Sequence, residues 1–210
     1  MILGVTGFIN SGKDTIADYL CTFHGFKRLS FAASLKDAVS NIFGWDRELL
    51  EGTTKTSREW REQVDSWWSK RLDIPNLTPR WVLQHWGTEV CRNGFHHDIW
   101  VASIENKLRN SLDNIVITDC RFINEVNAIK KVGGITCRVE RGPRPTWYSD
   151  AISLNKGPRN IGWALAGKKL MDLGIHASEY SSVGIEYDHY IDNNGSIDEL
   201  HKKIKSMVNL

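Results

Sequence analysis

A chain of 210 residues with 41% hydrophobic content carries enough apolar material for one good core and a small accessory subdomain, which excludes a disordered protein. Its formal charge of +2, from 27 basic and 25 acidic residues, argues against a protein held to nucleic acid mainly by net charge, so any anion binding rests on local clusters. No apolar run reaches the roughly 18 residues of a membrane span, and the first residues show no basic signal region, so no membrane partner and a cytoplasmic location are expected. The four cysteines, Cys21, Cys91, Cys120 and Cys137, lack a C-x-x-C pair and read as reduced core thiols.

In chain order, Ile2, Leu3 and Val5 suit a buried strand that breaks into the loop Gly7-Phe-Ile-Asn-Ser-Gly12-Lys13. Gly7 and Gly12 permit the backbone angles of a tight loop, whose N–H groups, those of Asn10 and Ser11 among them, converge on an anion at a helix N-terminus. Lys13 adds a point charge that reaches outer phosphates. The phosphate-loop pattern places Ser or Thr after the lysine, whereas here Asp14 precedes Thr15. A carboxylate at that position can hold a metal through water, and Thr15 can still offer a hydroxyl to an inner phosphate. The bland alternative is a glycine turn with a solvated lysine.

A helix is expected over 13–23, a short strand over Phe26–Phe31 and a helix over Ala32–Phe43, repeating the strand-helix order of an α/β fold. Residues 44–56 read as a polar loop, and Thr56 with Glu59 as a capping box for one charged, tryptophan-bearing helix over 57–71. Five of the nine tryptophans fall between Trp60 and Trp86 and read as packing rather than ligand contacts. Pro75 marks a turn, Thr78-Pro79 starts a helix to Cys91, and a further helix starts at Asp98. Ile115–Asp119 reads as a second parallel strand beside the cradle, ending in an acid; at such a strand end a phosphate-loop enzyme keeps an aspartate that orients magnesium or its waters. Phe122–Val132 reads as a helix stopped by Gly133-Gly134, and Ile135–Val139 as the next strand. Residues 141–182 carry many arginines, lysines and prolines and read as a mobile basic flap or a solvated insertion. A last strand over Tyr187–Ile191, a turn at Asn193-Asn194-Gly195 and a Ser196-capped helix complete the pattern.

Six blocks in this order, GFINSGKDT (7–15), FAASLKD (31–37), LQHWGTEVCR (83–92), TDCRFINE (118–125), HASE (176–179) and IDNNGSIDEL (191–200), resemble the deoxynucleoside monophosphate kinases of tailed bacteriophages and the wider P-loop nucleoside monophosphate kinase superfamily. The resemblance implies a P-loop NTPase-like three-layer α/β fold with a parallel sheet in one domain over 1–210. Its core would be 1–43, 110–140 and 185–210, its acceptor-binding helical insertion about 44–109 and its lid about 141–182. It also implies ATP and Mg2+, a nucleoside monophosphate acceptor, no stable nucleic-acid binding, the cytoplasm of a phage host, and a homodimer as one allowed state. Gly7, Asn10, Ser11, Gly12, Lys13, Asp14 and Thr15 would bind the donor phosphates, with Asp14 and Asp119 at the metal through water. Asn193 and Asn194 would pack against the donor's adenine. Arg121 would grip the acceptor phosphate, where a surface ion pair with Glu125 is the alternative. Lys36, Asp37, Arg80, Gln84, Thr88, Glu89 and Arg92 fall in the acceptor-binding blocks, with Arg80, Gln84 and Thr88 spaced for one helix face. Arg141, Arg144 and Arg159 are the lid arginines, Arg141 being the one assigned to catalysis, and His176 and Glu179 would latch the lid. Competing readings are another small-molecule P-loop kinase, of dephospho-coenzyme A or phosphomevalonate type, and an ATP-dependent nucleic-acid module.

Overall fold

The computed structural model describes residues 1–109 and 111–209. Its elements in order are β1 (Ile2–Thr6), α1 (Lys13–His24), β2 (Lys27–Leu29), α2 (Ala33–Phe43), α3 (Arg47–Glu51), α4 (Lys55–Arg61), α5 (Ser66–Leu72), α6 (Pro79–His85), a π-helix (Trp86–Asn93) and α7 (Ile99–Leu108). There follow β3 (Ile115–Ile117), α8 (Ile123–Lys131), β4 (Ile135–Glu140), α9 (Tyr148–Lys156), α10 (Ile161–Asp172), α11 (Ala177–Tyr180), β5 (His189–Asp192) and α12 (Ile197–Val208). They form two compact units: Met1–Ser30 with the chain from Ser111 onward, and the segment from Phe31 through α7. Among the described residues, no helix is long and apolar enough to cross a membrane.

The first unit is built on a sheet of order β2-β3-β1-β4-β5, parallel at every pairing. Alternation along the strands sends Leu3, Val5, Val116, Cys137 and Val139 to one face, where they pack with Ile16 and Leu20 of α1 and with Leu200, Ile204 and Val208 of α12. α8 packs on β1 and β4 with Val126 and Ile129 buried, so the sheet is covered on both faces and the unit has three layers. Leu20 is fully buried, and Leu20→Ala should lower stability by about 3 kcal/mol, read as an earlier urea midpoint at unchanged slope. Because every strand runs the same way, Thr6, Ser30, Thr118, Arg141 and Asn193 all leave the sheet at or just past its carboxyl edge. In open parallel sheets that edge is where ligands bind.

The second unit begins at Phe31, so α2 belongs to it, and Leu35, Val39 and Phe43 pack with Trp45, Leu50, Leu77, Val82 and Trp100. Trp60, Trp68 and Trp86 lie against this core, with the Phe43 ring 4.4 Å from Trp45 and 4.7 Å from Trp68. The expected loop 44–56 holds a helix, α3, whose N-cap Asp46 accepts from the amides of Glu48 and Leu49. The single helix expected over 57–71 is two helices, because Asp65 is drawn out of helical register: it accepts from Trp68 N at 3.0 Å and from Trp45 Nε1 at 2.9 Å. The capping box sits at Thr54 and Ser57 rather than Thr56 and Glu59, which starts α4 two residues early. The helix expected to run to Cys91 widens after His85 into the π-helix, where the carbonyl of buried Gly87 accepts from Trp100 Nε1 at 2.9 Å. All four cysteines are free thiols, but Cys21 and Cys91 are only half-buried.

Candidate phosphate-binding site

The turn from β1 into α1 has Gly7 at φ 155°, Gly12 at φ 101° and Asn10 in the left-handed region at φ 63°. Gly12 could not be replaced cheaply: its φ disfavours a side chain, and an added Cβ would run into the Asn193 amide. That amide donates to the Ser11 carbonyl at 2.8 Å and so ties the loop to the end of β5. Gly12 caps α1 without any side-chain acceptor, leaving the first amides of the helix for an outside anion. The Ser11 hydroxyl is buried with no hydrogen-bond partner among the described residues, a cost that a bound acceptor oxygen would remove. Lys13 Nζ donates to the Phe8 carbonyl at 2.7 Å.

Burial strips water from the Lys13 ammonium and, against the pull of neighbouring Asp14, brings its pKa down to about 8; Arg121 and Arg138 push the same way and Glu179 opposes them. A phosphate on Lys13 favours the charged form, so binding must take up a proton wherever the free protein has lost it. At pH 8 the uptake should approach about half a proton per site, falling away by pH 6.5. Calorimetry of ATP binding in buffers of different ionisation enthalpy measures it, and Lys13→Met should abolish it.

Beside the cradle, Arg28 of β2 bridges to the Asp14 carboxylate and donates to Thr118 Oγ1 at 2.8 Å, with Asp18 3.6 Å away. Ser30 Oγ donates to Asp119 Oδ2 at 2.6 Å. Arg28 thus joins Asp14 to Thr118, the residue before Asp119, and the carboxylates of this expected metal pair are the hard oxygen donors that Mg2+ prefers, although the described residues hold no cluster of three or more acidic, histidine or cysteine side chains that could ligate an ion directly. Arg28 escaped the sequence analysis; its signal was a cation on the short strand that ends beside the cradle.

Arg121 does not make the side-chain ion pair with Glu125. The buried Glu125 carboxylate instead accepts from the backbone amides of Arg121 and Phe122, at 2.8 and 3.1 Å, as a cap for α8. The guanidinium turns to Glu179 at 3.0 Å and Ser178 at 3.3 Å. His176 is engaged as the N-cap of α11, with Nδ1 accepting from Ser178 N at 3.2 Å. The segment 141–182, expected as a mobile basic flap or a solvated insertion, holds α9, α10 and α11, around a small core of Ala151, Leu170 and Val183. Arg141 is exposed. Arg144 pairs with Glu140 at 3.0 Å, and Arg159 lies over the Trp163 ring at 5.8 Å. Asn194 Oδ1 accepts from Gly142 N at 2.8 Å, so it joins the end of β5 to the start of this segment.

Within the second unit, Lys36 bonds Glu51, Arg47 bonds Asp37 at 2.6 Å, and Arg47 also reaches Glu51, which gathers Lys36 and Asp37 into one ion network. Burial works against the Glu51 charge, yet the hydrogen bonds from Lys36 and Arg47 hold its carboxyl below the ordinary range. Arg80 pairs with Glu62 at 3.2 Å. Glu89 accepts from Asn93 Nδ2 at 2.9 Å inside the π-helix, which also carries Thr88 and Arg92. Arg80 and Gln84 share α6, but Thr88 falls in the wider π turn, so the expected common face of all three is broken there.

A central parallel strand that passes through a glycine loop and a lysine into an uncapped helix, at the carboxyl edge of a doubly covered sheet, is the strand-loop-helix arrangement of the P-loop fold class. The chain is 29% identical over 221 aligned positions, covering 99% of its own length and 96% of the other's, to an Acanthamoeba polyphaga mimivirus protein named "Putative deoxynucleotide monophosphate kinase". No protein-family model matches it. Among solved structures it is similar to TT1252 from Thermus thermophilus, at TM-score 0.46 and 16% identity over 100% of this chain and 96% of that one. A dephospho-CoA kinase from Campylobacter jejuni gives TM-score 0.44 and 16% identity over 99% and 95% of the two chains.

Proposed function

We propose that this protein is a kinase that moves the terminal phosphoryl group of ATP onto a nucleoside 5'-monophosphate, most specifically a deoxynucleotide, giving the diphosphate and ADP. The observation that carries the reading is the cradle itself, an uncapped helix start with a buried, unpartnered Ser11 hydroxyl and a desolvated Lys13. The end-to-end likeness to the mimivirus kinase supports the acceptor class. In a viral setting such an activity would feed DNA synthesis.

The protein's part in the reaction is positioning and charge stabilisation, with no covalent enzyme intermediate. Lys13 and the amides of Gly7–Thr15 hold the donor phosphates, and Asn193 and Asn194 shape the loop against its base. Asp14 and Asp119 are the residues to hold Mg2+ through water, and the ion supplies neutralisation of phosphate charge when bound. Arg121 takes the acceptor phosphate, and Arg141, with Arg144 and Arg159 in the same segment, supplies charge toward the group in transfer. Lys36, Asp37, Arg80, Gln84, Thr88, Glu89 and Arg92 form the acceptor-binding set, and Glu179 with His176 latches the segment 141–182.

A coupled ADP-release assay with ATP and Mg2+ tests this against deoxy- and ribonucleoside monophosphates, dephospho-coenzyme A and phosphomevalonate. Strong turnover with one or more deoxynucleotides is expected. Turnover confined to dephospho-coenzyme A or phosphomevalonate would replace the acceptor, and a protein that binds no ATP would overturn the reading altogether.

A further inference from the structure

β4 reads Ile-Thr-Cys-Arg-Val-Glu, and alternation sends Cys137 and Val139 into the main core while Thr136, Arg138 and Glu140 take the other face. Arg138, which pairs in register with Thr6 at the end of β1, is only 2% exposed. A buried guanidinium is costly unless it is paired and hydrogen-bonded. Here Nε donates to Glu140 at 3.0 Å and Nη1 to the Ser182 carbonyl at 3.2 Å, but Nη2 is buried without a hydrogen-bond partner among the described residues. A residue kept only for its own hydrogen bonds would not leave that donor orphaned.

The guanidinium lies over the ring of Phe8, with its carbon 4.9 Å from the centroid. Phe8 is the loop residue whose carbonyl accepts from Lys13. Its ring meets Trp147 and Tyr148 edge-on at 5.6 and 6.1 Å. Arg144 lies 4.7 Å over Tyr148 and pairs with Glu140, which accepts from Arg138 in turn. The contacts therefore close into a ring of Phe8, Arg138, Glu140, Arg144 and Tyr148. Burial works against the Glu140 charge, but hydrogen bonds from Arg138 and Arg144 hold its carboxyl low, so the ring stays ionised at neutral pH.

We propose that Arg138 is a positioning residue for Lys13: through the Phe8 ring it fixes the carbonyl that holds the ammonium, and through Glu140 and Arg144 it ties that carbonyl to the segment carrying the lid arginines. The inference rests on the loop being the ATP site. It requires no particular acceptor.

The test measures ATP affinity in Arg138→Met, Arg138→Lys, Phe8→Leu and the double variant of Arg138→Met with Phe8→Leu, with thermal melts alongside. ATP affinity should fall about tenfold in each single variant, with the double variant no worse than about twofold beyond either, since both break one chain of contacts. Arg138→Lys keeps the charge and not the planar stack, so it should lose as much affinity as Arg138→Met, whereas a residue acting through its charge alone would be rescued by lysine. Unchanged affinity in Phe8→Leu, multiplying losses in the double variant, or wild-type affinity in Arg138→Lys would each overturn the proposal. Should Arg138→Met fail to fold, Phe8→Leu and Arg138→Lys decide it. A wild-type protein that binds no ATP would instead count against the kinase reading, which keeps the two failures apart.

Discussion

Lys13→Ala should lower kcat/KM for phosphoryl transfer roughly a thousandfold while leaving the protein folded. The ammonium is seated on the Phe8 carbonyl inside the loop, and neighbouring amides cannot replace a full charge where phosphate charge develops. The fold should not suffer. The folded-state pKa of about 8 lies below the ordinary 10.5, so charging Lys13 costs stability. That cost is fully present below pH 8 and is relieved as the pH rises from 8 toward 10.5. The alanine variant should therefore melt at or above the wild-type temperature at pH 7, with the gain shrinking at higher pH. A variant with wild-type turnover would end the assignment, and one with a markedly lower melting temperature would show that Lys13 holds the loop rather than the donor.

The second large effect is expected at Arg121. Arg121→Ala should raise KM for the nucleoside monophosphate about a hundredfold and change KM for ATP by less than about threefold, the scale of a lost bidentate, charge-assisted contact. Arg121 leaves the carboxyl edge of the sheet just past Asp119, with its guanidinium already directed by Glu179 and Ser178. Arg121→Lys should recover little, because an ammonium cannot present two parallel donors to a phosphate. Glu179→Gln should weaken the acceptor only severalfold, since it removes the charge that orients Arg121 and keeps the hydrogen-bonding shape. Equal losses for both substrates in Arg121→Ala would remove this arginine from the acceptor side.

Much of the first unit was legible in the residues. The Ile-Leu-Gly-Val run, the loop glycines and Lys13 encode strand, turn and helix within about twenty residues, and Ser196 caps the last helix as expected, with Glu199 completing a capping box that the structure adds. The second unit was read less well, and each miss has a physical cause. Asp65 fits a helix interior poorly, and Trp45 and Trp68 offered it N–H donors from either side, so a helix that periodicity would carry through was cut in two. The π-helix after His85 follows from the way Trp100 holds the Gly87 carbonyl, a bond across 13 residues that no local window contains.

The sequence by itself determined the cradle, because a phosphate loop is a local object in which φ-permissive glycines, consecutive amides and one lysine lie within a few positions of each other. It also determined the strand-helix alternation and the acid at the end of the third strand. Only the tertiary structure decided what those charges meet. Arg28 reaches Thr118 across 90 residues, Arg121 turns to Glu179 across 58 rather than to Glu125 four residues on, and Arg138 of β4 stacks on Phe8 of the loop after β1. Side-chain ion pairs and ring contacts act over a few ångströms, so which of them form depends on the strand order that brings β2, β3, β1 and β4 edge to edge. Spacing along the chain does not contain that order.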